Sequence, residues 1–198
     1  MPLATQIITE GDLSAGRQAV DWGVDSTGIS CVGEGINGNT TYYRANGAAV
    51  VVNDNGVAVS AEDTTSMDVN FPVGSSMLVA VDPPPKTMPD VAPIKLRFFN
   101  PVREVGAYVT VSGPMNELRQ KTLHAIIWLQ FQGDPSWVTS FSANGPIGTN
   151  TPAGQPFTAA FLGARASGAP IEGVKIDGKL IGKRSFPFLV LSNLFWVA

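Results

Sequence analysis

The chain has 198 residues, 15% of them charged, a formal net charge of −3 and one cysteine, Cys31. That length suits a single domain burying roughly 70% of its unfolded surface without help from disulfide or metal. The acidic balance gives no electrostatic case for nucleic acid or an anionic membrane, and a lone cysteine excludes an intrachain disulfide and any cysteine-based metal site.

Residues 1–20 read as a weakly patterned N-terminal extension in which Asp12 is expected to cap a short helical turn. The opening MPLATQIITEGD has neither a basic region nor an apolar run, so no signal peptide is expected in this sequence. Ile29–Val32 reads as a short strand, with Cys31 buried and inert for want of a basic neighbour. Gly33–Thr41 reads as a loop. Its glycines have the spacing of a dinucleotide-binding motif, but no helix follows, and Asn39-Thr40-Thr41 is formally a glycosylation sequon.

Ala48–Ser60 reads as a hairpin, two valine runs around Asn53-Asp54-Asn55-Gly56, because Asn-Gly supplies the positive φ angles of a tight turn. Met67–Phe71 and Met77–Asp82 read as further strands. Residues 83–93 hold five prolines in eleven positions. They read as an extended surface loop inside the domain, since both flanks have the same β character.

Ile94–Gly113 is the stretch around which the rest is organised. Ile94, Leu96 and Phe98 alternate with Lys95, Arg97 and Phe99, the period of a half-buried strand. Asn100-Pro101 is expected to break that ladder, proline having no N–H to donate. A second strand then sets Val105, Ala107, Val109 and Val111 against Gly106, Tyr108, Thr110 and Ser112. Leu123–Phe131 puts Leu123, Ala125, Ile127, Leu129 and Phe131 on one face and His124, Ile126, Trp128 and Gln130 on a second, partly covered one.

Trp137–Phe141, Phe157–Ala164, Gly173–Asp177 and Phe186–Val197 complete the series, with a turn expected at Asp177-Gly178 and a loop at Gly145–Gln155. The last strand reads as central and covered on both sides, with Phe188, Val190 and Leu194 on one face and Leu189, Leu191 and Phe195 on the other. Its apolar run is too short, and too interrupted by Pro187, Ser192 and Asn193, to span a bilayer. About ten short strands with only short helical turns predict an all-β fold: one antiparallel β-sandwich of jelly-roll type over residues 1–198.

Four stretches carry a family resemblance: Asp21-Trp22-Gly23; Asn70–Gly74 followed by Met77-Leu78; Leu96–Val109; and Ala160-Phe161-Leu162-Gly163 leading into Phe188–Phe195. In order and spacing they resemble the extracellular domain of exosortase-sorted (PEP-CTERM) bacterial proteins. The run Phe98–Ala107 is similar to that group's F-x-x-P-V-x-x-V-G-A phrase. The resemblance implies a galactose-binding-like jelly roll on a secreted or cell-surface protein, and it transfers no catalytic residue. The sequence shows neither the export signal nor the sorting tail of that group.

The chemistry is sparse. His124, the only histidine, sits inside a strand, where a hydrogen-bonded structural role is expected, and no nucleophile elbow or phosphate-binding loop occurs. Paired carboxylates in a recognisable glycosidase setting are missing as well, so no enzymatic activity is expected. Sandwiches of this kind accommodate structural calcium on loop oxygens, for which Asp54 and Asp63 are the candidates. Sugar binding requires aromatic faces with polar groups beside them. Tyr42, Tyr43, Arg44 and Trp137 are the aromatics and cation set next to polar loops. The expectation is a non-catalytic extracellular module binding a glycan or other surface ligand. The alternative is a structural protein that self-assembles, a second copy of the chain being its partner.

Overall fold

Period-2 alternation of apolar residues recurs from end to end, and the backbone answers with strands. The computed structural model describes residues 4–23, 35–36, 40–43, 49–52, 58–64, 67, 69–81, 93–112, 121–148, 152–181 and 188–198. In chain order the strands are β1 (Ala4–Ile7), β2 (Gln18–Val20), β3 (Gly35–Ile36), β4 (Thr40–Tyr43), β5 (Ala49–Val52), β6 (Ala58–Asp63) and β7 (Ser76–Val81). They continue with β8 (Ile94–Val102), β9 (Glu104–Ser112), β10 (Thr122–Phe131), β11 (Thr139–Pro146), β12 (Ala160–Ala166), β13 (Ile171–Leu180) and β14 (Phe188–Val197).

One sheet has the order β1-β12-β9-β14-β7-β6-β3, with β2 also on β14; the other runs β11-β10-β13-β8-β5-β4. Every pairing among the described residues is antiparallel, so the expected β-sandwich is what the chain forms. Among the described residues nine strands are six residues or longer, and the rest are short pieces along the sheets. The only helix among the described residues is a 3₁₀ turn, Glu10–Asp12. No helix among them is long and apolar enough to cross a membrane.

The core lies between the sheets. Leu123, Ala125, Ile127, Leu129 and Phe131 face Val105, Ala107, Val109 and Val111 across it, with Val174, Ile176, Leu189 and Leu191. Burying each Val, Leu, Ile or Phe among them is worth about 1.5–3 kcal/mol. The organising stretch behaves as its pattern requires, with one adjustment. Asn100-Pro101 does not end β8; the strand runs to Val102, and the chain bends at Arg103 to cross from one sheet to the other. Proline's missing donor is absorbed by a bulge, for β13 pairs Ile171 with Val102 and Gly173 with Arg97.

Other local expectations are overturned. The two valine runs of Ala48–Ser60 are not a hairpin: β5 pairs with β4 and β8, while β6 pairs with β3 and β7 in the opposite sheet. Their apolar character serves two sheets, and residues 53–57 lie outside the described residues. The segment around Met67–Phe71 is irregular rather than a strand; Val69 and Phe71 plug the outer face of the eight-stranded sheet. Asp177-Gly178 is no turn but the interior of β13. A Cβ on Gly178 would lie 3.0 Å from Leu123 Cδ1 and 3.2 Å from Leu189 Cδ1, so the glycine answers core packing. Gly145 belongs to β11, not to a loop, and a Cβ there would come within 2.6 Å of the Ala160 backbone. Thr9, not Asp12, is the N-cap of the 3₁₀ turn; Asp12 Oδ2 accepts the Thr9 N–H at 3.0 Å and its hydroxyl at 2.9 Å. Ile29–Val32 with Cys31, the turn 53–57 and most of 83–93 lie outside the described residues.

The outer face of the eight-stranded sheet is closed. Phe71, Met77, Val79 and Val190 form one cluster with Phe157 and Tyr108, and Ile7, Leu13 and Phe161 form another. Phe161 lies across the paired glycines Gly106 and Gly163, where added Cβ atoms would approach its ring to 2.4 and 2.9 Å. The outer face of the six-stranded sheet is built differently.

Candidate functional site

On β10 the alternation that buries Leu123 to Phe131 turns His124, Ile126, Trp128 and Gln130 outward. The same alternation on β13 turns out Gly173, Lys175, Asp177 and Lys179, and on β8 Lys95 and Arg97. Register aligns these residues into rows. Ser140, Trp128, Lys175 and Lys95 are successive cross-strand partners over four strands, as are Gln130, Gly173 and Arg97 over three.

Trp137 joins this face from the connection between β10 and β11. Gly133 at φ 82° reverses the chain, and Asp134 Oδ1 accepts the Ser136 N–H at 2.9 Å. That hydrogen bond, from the Ser136 backbone first and its hydroxyl second, holds the Asp134 carboxyl below its ordinary value. The Val138 N–H then rejoins β10 at the Leu129 carbonyl, 3.1 Å away. The indole of Trp137 is thereby returned over Gly173, where a Cβ would meet Trp137 Cη2 at 3.4 Å and Gln130 Oε1 at 3.1 Å. Glycine at 173 makes room for both, and Gln130 is left only 7% exposed.

Between the two indoles stands Lys175. Its Nζ lies 4.6 Å from the Trp128 ring centre and 5.6 Å from that of Trp137, both within cation–π range. Beside them Arg97 and Glu172 approach to 3.7 Å, and His124 Nδ1 lies 2.8 Å from Asn144 Oδ1, the structural pairing expected of that histidine. Chemically this is a pair of half-exposed aromatic faces rimmed by ammonium, guanidinium, amide and carboxylate groups. Apolar CH faces can stack on it and hydroxyls can find donors and acceptors.

The residues singled out from sequence do not converge. Trp137 is on this face. Tyr42 and Tyr43 lie in β4, paired with Val50 and Ala49, at the opposite edge of the same sheet rather than in a loop. Three strand spacings separate β13 from β4, roughly 14 Å. Arg44 and Asp54 lie outside the described residues, and Asp63 closes β6 opposite Ser76. Among the described residues no group of three or more acidic, histidine or cysteine side chains is placed to hold a metal. Sequence reasoning missed Trp128 and Lys175. The signal was present in β10, where a tryptophan shares the outward positions with His124 and Gln130, but its partner on β13 depended on register.

Fold and face together define an all-β antiparallel sandwich with one closed sheet and one sheet presenting aromatic and cationic groups. No protein-family model and no curated protein matches the chain. Among solved structures it is similar to the enzymatically active domain of tailspike protein 4 of bacteriophage CBA120, at 15% identity and a TM-score of 0.33. The match covers 76% of this chain and 19% of that one. A match described as enzymatically active overturns the expectation that the chain is not an enzyme, and that expectation is withdrawn. At this TM-score the likeness assigns no activity to the chain.

Proposed function

We propose that the chain binds carbohydrate on the outer face of its six-stranded sheet, with Trp128 and Trp137 as the stacking platform. The observation that carries this reading is the pair of indoles gathered around the Lys175 ammonium on a polar-rimmed sheet face. Indole rings offer sugar CH groups an apolar surface, and Arg97 and Asp177 stand within the neighbouring rows to engage hydroxyls. The exported location implied by the family resemblance is part of the same proposal, a surface or matrix glycan being the natural partner there.

A shallow sheet face leaves much of a sugar hydrated, so a dissociation constant on the order of 0.1–1 mM is expected. Trp128→Ala and Trp137→Ala are each expected to weaken binding about five- to tenfold, since stacking on one ring is worth roughly 1–1.5 kcal/mol. The check is titration of parent and variants with every oligosaccharide that the parent retains on a glycan array, alongside a melting curve for each variant. Full binding by both variants moves the site elsewhere. A parent that retains no glycan overturns the reading and leaves self-assembly, which solution mass at several concentrations would reveal.

A further inference from the structure

We infer that the ligand of this face is an acidic glycan, the carboxylate of a uronic acid unit being held by Lys95 and Lys175 while its ring stacks on the neighbouring indoles. This rests on the carbohydrate reading above and narrows it. Lys95 and Lys175 are direct cross-strand partners on one face, an arrangement that like charges disfavour unless something offsets their repulsion. Among the described residues neither lysine takes part in an ion pair. Glu172, an acidic group beside them, is committed to Arg97. Trp128 stands directly on the other side of Lys175, so the row offers stacking surface and ammonium groups at adjacent strand spacings, roughly 5 Å apart. That is the scale of one sugar ring and its exocyclic carboxylate.

Charge balance selects the class of anion. Among the described residues of its strands the face carries Lys95, Arg97, Lys175 and Lys179 against Glu172 and Asp177, an excess of two positive charges on a chain whose net charge is −3. A local excess this small matches one carboxylate per sugar better than the dense charge of a heavily sulfated chain. Carboxylate held by ammonium is a charge-assisted contact, stronger than its neutral counterpart.

The test uses oligogalacturonate, oligomannuronate and hyaluronan oligosaccharides, each beside its carboxyl-reduced form, which keeps the ring and removes the charge. The inference expects at least one acidic oligosaccharide to bind at least about tenfold more tightly than its reduced form. That preference should shrink steeply as salt is raised. Lys95→Gln should abolish the preference with the melting temperature unchanged. Lys175→Met should abolish it as well. Equal binding of acidic and reduced forms, with dependence on Trp128 intact, overturns the acidic inference and leaves the carbohydrate reading standing. Binding of sulfated galactan with no uronate bound overturns the carboxylate assignment. Binding of no sugar at all removes both.

Discussion

Trp22 and Trp196 are both buried against the inner core, yet their indole nitrogens are treated oppositely. Trp22 Nε1–H donates to the Ser192 carbonyl at 2.8 Å, whereas Trp196 Nε1 is buried with no hydrogen-bond partner among the described residues. Removing a bonded donor strands its acceptor, while removing an orphan donor relieves a desolvation cost of about 1–3 kcal/mol. Trp22→Phe should therefore destabilise by about 2 kcal/mol more than Trp196→Phe in chemical denaturation; equal losses would refute the distinction. Glu104 is the other residue whose environment decides its behaviour. It is 4% exposed, and burial alone would raise its pKa. The Ser14 hydroxyl at 2.6 Å, the Ser14 N–H at 2.7 Å and Arg165 Nε at 2.6 Å outweigh that and hold it below the ordinary 4.5. A depressed carboxyl stabilises fully above its unfolded value and loses that contribution as pH falls through the folded one. Tyr108 runs the other way: burial first, then the Glu10 charge, push it from 10.0 up to about 12. Its contribution is complete below pH 10.0 and is lost as pH rises toward about 12. Melting temperature against pH should accordingly fall below about 4.5 and above about 10. Glu104→Gln should flatten the acid limb and Tyr108→Phe the alkaline one, and unchanged limbs would show that these groups do not govern them.

At the scale of one strand, β14 shows what a sequence states and what it withholds. Its run of apolar residues announces a central strand covered on both sides, and it lies between β9 and β7 with β2 beside it. Beyond Ser192 the two faces are exchanged relative to simple alternation, Leu194 turning inward and Phe195 outward. The register against β9 shifts between Leu191 and Leu194, so Leu189, Leu191, Leu194 and Trp196 all face the inner core while Phe188, Val190 and Phe195 face outward. A bulge inserts one residue and reverses parity, and no apolar pattern marks where it falls. Its polar cost is met locally: Ser192 Oγ accepts the Tyr108 N–H at 3.0 Å, and the Ser192 carbonyl takes the indole of Trp22. Ser192→Ala should then cost about 1–3 kcal/mol by orphaning a buried amide. Leu191→Ala should cost about 2–5 kcal/mol, more than a truncation at the partly buried Phe188. Equilibrium denaturation of the three variants orders them, and a Phe188→Ala loss exceeding that of Leu191→Ala would reverse the assigned faces.

Across the whole molecule, strand alternation makes the sandwich legible from sequence, because each strand carries its own inner face. Sheet membership is not legible in the same way: β5 and β6, adjacent in sequence and alike in composition, go to opposite sheets. The candidate site suffers from the same blindness, since Trp128, Lys175 and Lys95 become neighbours only through registers spanning three strands. The finished fold treats the outer faces of its two sheets differently. Aromatics on the outer face of the eight-stranded sheet interlock: Tyr108 stacks on Phe157 with ring centres 4.3 Å apart and meets Phe161 edge-on at 5.0 Å. On the outer face of the six-stranded sheet Trp128 and Trp137 meet a lysine instead. Truncating a closed aromatic face should cost stability, and truncating an open one should cost little of it. Phe161→Ala, which also uncovers the Gly106–Gly163 pair, should lose about 3–5 kcal/mol, a fall in melting temperature of roughly 6–20 °C for a domain of this size. Trp128→Ala should lower it by no more than about 4 °C, corresponding to about 1 kcal/mol. Scanning calorimetry on both variants decides the matter: comparable shifts would mean that the tryptophan face is a second stability cluster rather than a surface kept open for a ligand.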